Sequence, residues 1–329
     1  MWKYILRRFL YAVFTIWVIS MVSFAVIQLP PGDYVTDLVN RIRSQSGGTI
    51  NPQFEDRMRE IYGFDDPIYV QYFKWIRNIV VHRQFGYSFY YLRDAGEMIW
   101  ERLPMSATMA IASFLLVWAI ALPLGVYSAV HKYSIFDYGA SFISFIGLAI
   151  PNFILALLAL YASYKLFDRA AIGLFSNEFV DAPWTFAKFV DLLRHLWIPA
   201  IVVGLSGIAG LVQTMRANLL DELNKPYVAT ARSKGLAENK LLWKYPVRVA
   251  MNPFISTIGW MLPALVSGEA IVSIVLNLPT AGPVLYQSLM QQDQYVAAGF
   301  ILLLSTLTVI GTFISDLLLA LADPRIRLQ

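Results

Sequence analysis

The chemistry this chain offers is concentrated in one serine, three histidines and a few charges set within apolar runs. Gly204-Leu205-Ser206-Gly207 has the G-x-S-G form in which a serine nucleophile can sit inside a membrane. Such a serine needs a histidine base within hydrogen-bond reach. His82, His131 and His195 all precede it, and no histidine follows in a later apolar run, so an intramembrane hydrolase lacks a placed base. Gly204, Gly207 and Gly210 with Ser206 also form a small-residue stripe of the kind that lets two helices approach closely, and packing is the preferred reading.

Ionisable residues inside apolar runs are costly and are functional candidates by default. Arg216 and Asp316 lie near run ends, where they can snorkel or pair. Glu269 lies deeper, after Gly268, and either lines a path through the membrane or hydrogen-bonds a neighbouring helix. Asn152 after Pro151, and Pro263, mark kink positions that suit a pathway opening alternately to its two sides, although proline is common in membrane helices. The chain has no cysteine, which excludes disulfides, thiolate nucleophiles and cysteine-bound metals; its scattered histidines argue against a metal cluster, and no cofactor is expected.

The elements that must position these residues are membrane spans. Hydrophobic residues make up 57% of the 329 and charged residues 15%, well below the quarter typical of soluble chains. Apolar runs at 9–29, 105–130, 138–164, 196–220, 253–276 and 296–322 are each long enough to cross a bilayer. Six spans put both termini on one side. The first run is too long for a signal peptide and is read as retained. Lys3, Arg7 and Arg8, the six basic residues of 221–252, and Arg325 with Arg327 make those segments cytoplasmic, whereas 279–293 has no Lys or Arg. The net charge of +4 is therefore a topology signal, and no nucleic-acid partner is expected.

Residues 30–104 form the main polar region and are expected to be an external subdomain. The chain thus divides into 1–29, 30–104 and a five-helix core of 105–329. Near 184–195, Phe186, Phe189, Val190 and Leu193 recur at helical spacing opposite Lys188, Asp191 and Arg194. That pattern predicts a separate amphipathic helix, lying in the outer interface or folded onto neighbouring spans.

The segment 221–252 is too long for a plain membrane turn and reads as helix, break at Gly235, and second helix. Within it Tyr227-Val228 and Thr230-Ala231-Arg232-Ser233-Lys234-Gly235-Leu236 resemble the cytoplasmic loop signature of the permease subunits of bacterial dipeptide/oligopeptide ABC importers. Further matches follow in order along nearly the whole chain: Arg7-Arg8, Pro31-Gly32-Asp33, Phe85-Gly86-Tyr87-Ser88 and Asp323-Pro324-Arg325-Ile326-Arg327.

The resemblance implies an all-α protein of type I importer fold in the bacterial inner membrane. It implies pairing with a second homologous permease, and one or two ATPase subunits docked on a coupling helix that includes Tyr227, Thr230, Ala231, Arg232, Lys234, Gly235 and Leu236. An extracytoplasmic solute-binding protein completes such an assembly. Gly-Lys, which a phosphate-binding loop requires, occurs nowhere, so the ATPase belongs to separate chains. Departures from the family pattern bear on substrate: Arg83-Gln84 precedes Phe85, Ser273 stands where glutamate is usual, and the loop with Asp181-Ala182-Pro183-Trp184 is long. Asn152, Glu269 and Ser273 are the translocation-path candidates. Peptide is the first substrate expectation and oligosaccharide the second.

Overall fold

The structure, a computed structural model, describes residues 2–28, 66–88, 90–167, 172–291 and 293–322, without the side chains of 27, 167, 258–269 and 322. Residues 30–65, Pro31-Gly32-Asp33, the terminal Asp323 to Arg327 motif, and the side chains of Pro263 and Glu269 therefore lie outside the description.

Apolar runs of bilayer length become long helices here, because lipid offers no hydrogen-bond partner to an open backbone. Four are long and apolar enough to cross a membrane individually: α1 (Trp2–Gln28), α3 (Ala95–Val130), α6 (Phe186–Leu223) and α12 (Gln294–Ala322). Between them α2 is Ile68–Arg77, α4 is Ile135–Ala149 and α5 is Asn152–Phe167. Beyond α6 come α7 (Pro226–Ser233), α8 (Glu238–Lys244), α9 (Pro246–Ala250), α10 (Asn252–Val275) and α11 (Ala281–Met290). The run predicted at 253–276 is α10, whose 24 residues continue past Pro263.

The run 138–164 bends where Pro151 marked a kink position: α4 and α5 meet at 104°, and the break falls at Ile150, whose extended backbone (φ −87°, ψ 123°) is what a following proline imposes. One expectation needs correction: 184–195 is not a separate interfacial helix. Residues 186–195 are the first quarter of the 38-residue α6, and two of the three residues of the polar face turn inward, Arg194 alone of them staying exposed. Lys188 and Asp191 are buried, whereas Phe186, Phe189 and Leu193 are exposed. Lys188 Nζ donates to the carbonyls of Val180 and Ala182 at 3.2 and 2.6 Å, and Asp191 accepts from the backbone and hydroxyl of Ser176, both at 2.7 Å. With an apolar solvent outside, the polar groups turn inward to find partners.

The chain forms two compact units. One comprises Met1–Ala12, Leu103–Pro283 and Leu307–Gln329 and is built around α6, against which α4, α5, α9 and α10 pack. Gly204 serves this packing: a Cβ there would stand 2.9 Å from Val117 on α3, and one at Gly125 2.6 Å from Met215. His195 and Ser206 share α6 and are about 16 Å apart along it, too far for a nucleophile–base pair. The two charges near span ends are paired, Arg8 with Asp316 at 3.0 Å and Arg216 with Asp137.

The second unit comprises Val13–Arg102 and Val284–Thr306. Phe24 of α1, Tyr72 and Trp75 of α2, and Ala298 and Leu302 of α12 form its core. A short antiparallel hairpin, β1 (Tyr87–Ser88) and β2 (Arg93–Asp94), pairs Tyr87 with Asp94 and was not expected from sequence. Its entry requires glycine: Gly86 has φ +121°, and a Cβ there would meet the Tyr295 ring at 2.4 Å. Ser88 donates to the Asp293 carboxylate, fixing the hairpin to the turn before α12.

Candidate functional site: the loop after α6

The loop begins as an extension of a span, since α6 runs without interruption to Leu223. Asn224 ends it, its side chain donating to the Leu220 carbonyl at 2.9 Å, and Pro226 opens α7 at the position where its missing N–H costs nothing. The α7 helix stops at Gly235, whose φ of +76° is the left-handed conformation that glycine adopts without strain. Gly235 N–H donates to Arg232 O at 3.0 Å, closing the turn, and a Cβ at Gly235 would meet nothing within 4 Å. The break is conformational, with open space around it.

The loop has its own small core. Val228, Ala231 and Leu241 are buried together, with Leu236 and Tyr245 packed against them. Ala231 faces inward, and its small side chain lets α7 close onto α8. Across the break, Arg232 grips Glu238 with two parallel bonds of 2.5 and 3.1 Å. That bidentate fork lowers the Glu238 carboxyl and raises the Arg232 guanidinium from their ordinary ranges, although both are open to solvent. Tyr227 donates its hydroxyl to Glu222, which ties the start of α7 to the end of α6. Burial and, next, that carboxylate push the phenol well above its usual range.

Five of the seven residues singled out in this loop, Tyr227, Thr230, Arg232, Lys234 and Gly235, present outward, while Ala231 and Leu236 form the inner face. Trp243 on α8 is 52% exposed, an aromatic that sequence reasoning passed over as an ordinary helix residue. The result is a self-supporting helical block with a basic, partly aromatic outer surface.

A second constellation stands behind the block. Asp137, at the start of α4 and almost fully buried, accepts from Arg216 Nε at 2.6 Å and Nη2 at 2.7 Å. The Ser128 hydroxyl and the Tyr133 amide at 2.9 Å complete its partners. One carboxylate thus joins the end of α3, the turn, α4 and the lower part of α6. Asp137 was missed, yet Ser134-Ile135-Phe136-Asp137 carries a capping pattern, and Ser134 does accept from the Asp137 amide at 3.2 Å.

Of the translocation-path candidates, Glu269 and Ser273 stand one turn apart on α10, a helix against which α5 packs. Asn152 begins α5 just past the bend. Ser273 is fully buried in the last turn of α10, where it accepts from Thr280 Oγ1 at 2.9 Å and its carbonyl accepts from Leu278 N–H at 2.8 Å. These two bonds join the end of α10 to the turn that follows it.

These features coincide with those of known transport proteins. Residues 121–328 match the family "Binding-protein-dependent transport system inner membrane component", and residues 1–110 match its N-terminal companion. The chain is 35% identical over 98% of both lengths to the oligopeptide transport system permease protein AppB of Bacillus subtilis. It is 30% identical to the peptidoglycan transport system permease protein YejB of Agrobacterium fabrum, over 99% of this chain and 98% of that one. The fold resembles that of the MetNI methionine ABC transporter in its inward-facing form, with a TM-score of 0.53 at 17% identity, over 69% of this chain and 96% of that one. The chain belongs to the binding-protein-dependent transport system inner membrane component family and is a permease subunit of an ABC importer.

Proposed function

We propose that this permease forms half of a translocation pathway with a second, homologous permease, and that its 221–252 loop is the coupling element that receives force from a separate ATPase chain. The observation that carries the reading is the loop's construction. A block with its own core, clamped by Arg232–Glu238 and tied to the end of α6 by Tyr227–Glu222, moves as one body when a partner pushes on it. Loop and termini are cytoplasmic in this reading, as the distribution of basic residues requires, and an extracytoplasmic binding protein delivers the solute. The substrate is a peptide, in line with the name of the Bacillus relative. Oligosaccharide is the second reading, favoured by the Agrobacterium relative's named substrate, whose polymer contains both sugar and peptide.

Gly235→Asp tests the coupling role. No atom obstructs the new side chain, so the perturbation is a left-handed backbone cost of about 1–2 kcal/mol plus a negative charge on a basic surface. Normal abundance in the membrane is expected, together with loss of transport and of co-purification with the ATPase. Normal transport with the ATPase still bound would remove the coupling assignment.

A further inference from the structure

We infer that α2 and the π-helical turn that follows it, Asn78–His82, form a membrane-interface element whose outer face is covered by phospholipid at the Gln28 end of α1. The first observation is depth. Counted from Phe9, just after the charged Arg8, the 20 residues to Gln28 cover about 30 Å, one hydrocarbon thickness. Tyr72 shares a 2.7 Å hydrogen bond with the hydroxyl of Ser20, eight residues or about 12 Å inside that end. Tyr72 and Trp75 also pack on Phe24, with ring centroids 5.5 and 5.7 Å away. On α12 the same core takes in Ala298 and Leu302, likewise inside the end of their helix. The inner face of α2 is therefore held against two spans at or below the headgroup level.

The second observation is what the exposed flank carries. Tyr69 and Phe73, one turn apart, are 66% and 65% exposed, and Val80 and Val81 are 74% and 63% exposed. At this depth that flank, about 110° around the helix from Tyr72 and Trp75, continues the lipid-facing surface that Trp17, Met21 and Val22 give α1, and the side opposite Tyr72 and Trp75 carries Lys74 and Arg77. Arg77 in the last turn of α2 adds a cation whose long stem lets the charge reach the headgroups, while Lys74 pairs with Asp66 at 2.5 Å. Gln28 donates to Gln71 at 3.1 Å, so the polar entry of α2 stays at the end of the span while Tyr72 and Trp75 reach inward. Chemically the partner is the acyl-chain and glycerol region of a bilayer, with headgroup phosphates facing Arg77.

The natural absence of cysteine makes the test direct. Single cysteines at Tyr69, Phe73 and Val80, with Asp66→Cys as the polar reference, are nitroxide-labelled in the full chain. Each is assembled with its partner subunits in liposomes of phosphatidylethanolamine and phosphatidylglycerol. Collision rates with oxygen, which partitions into acyl chains, are compared with those for a water-soluble nickel chelate. Lipid contact gives several-fold higher oxygen than nickel accessibility at the three positions and the reverse at Asp66. Nickel exceeding oxygen at the three would place the face in water; low accessibility to both reagents would place a protein subunit there. Either result overturns the inference, and neither bears on whether the 221–252 loop couples to an ATPase.

Discussion

Removing Asp137 tests whether its ion pair holds the lower half of the α6-centred unit together. Asp137→Ala leaves three donor groups, the Arg216 guanidinium, the Ser128 hydroxyl and the Tyr133 amide, without their acceptor. Breaking a buried pair from one side costs about 3–5 kcal/mol, chiefly because the remaining charge is stranded. Arg216 retains 22% side-chain exposure and can turn partly toward the headgroups, so the lower figure, about 3 kcal/mol, is appropriate. At about 1.4 kcal/mol per factor of ten, that is roughly a hundredfold rise in the unfolded fraction.

A matched apolar pair behaves differently. In Asp137→Leu with Arg216→Met neither charge remains to be stranded, and stability returns to within about 1 kcal/mol of the parent. The assay is unfolding of the purified chain in mixed micelles titrated with denaturing detergent, run as a double-mutant cycle of Asp137→Leu, Arg216→Met and the pair. A coupling energy of about 2 kcal/mol or more is expected; single-mutant losses that simply add, within about 0.5 kcal/mol, would refute the argument that these groups act as one unit.

Other outcomes follow from the same geometry. Gly204→Leu forces atoms into Val117, which a Cβ already approaches at 2.9 Å, and should destabilise by about 1–3 kcal/mol. Gly210→Ala, with nothing within 4 Å of the new atom, should be neutral or gain about 0.5–1 kcal/mol in the isolated chain; equal losses at both sites would disprove the packing account. Burial raises the Asp293 carboxyl above its ordinary 3.8, outweighing the hydrogen bonds from Ser88 and the backbones of Tyr90 and Val296. The folded chain therefore holds this proton more tightly than the unfolded chain, and the contribution fades as pH rises from 3.8 through the raised value. Thermal unfolding against pH should show that decline in the parent and a flatter profile in Asp293→Asn; an unchanged slope would assign the pH dependence elsewhere.

The spans were legible because the bilayer demands a simple thing of sequence, twenty or so apolar residues with charges only at the ends, and α1, α3, α6 and α12 meet it. The loop was legible for a different reason: Pro226 and Gly235 dictate backbone conformation locally, so a start and a stop are written in single residues. What escaped needed a partner or a solvent that composition does not name. Asp137 reads as a polar residue at a helix start until Arg216, 79 residues away, is seen to share its carboxylate. Ser88 finds Asp293 across 205 residues, and no local pattern announces the hairpin they fasten. The two amphipathic segments are the sharpest case. At 184–195 the periodicity was correct, but the side that faces inward depends on the medium outside, and lipid turns Lys188 and Asp191 toward carbonyl and hydroxyl partners while Phe186 and Phe189 face out. In α2 the sequence shows no sign of the long-range contacts by which Tyr72 and Trp75 meet Ser20 and Phe24. Hydrophobic periodicity thus gives the axis about which a helix is sided, and only the depth of its contacts says which solvent each side meets.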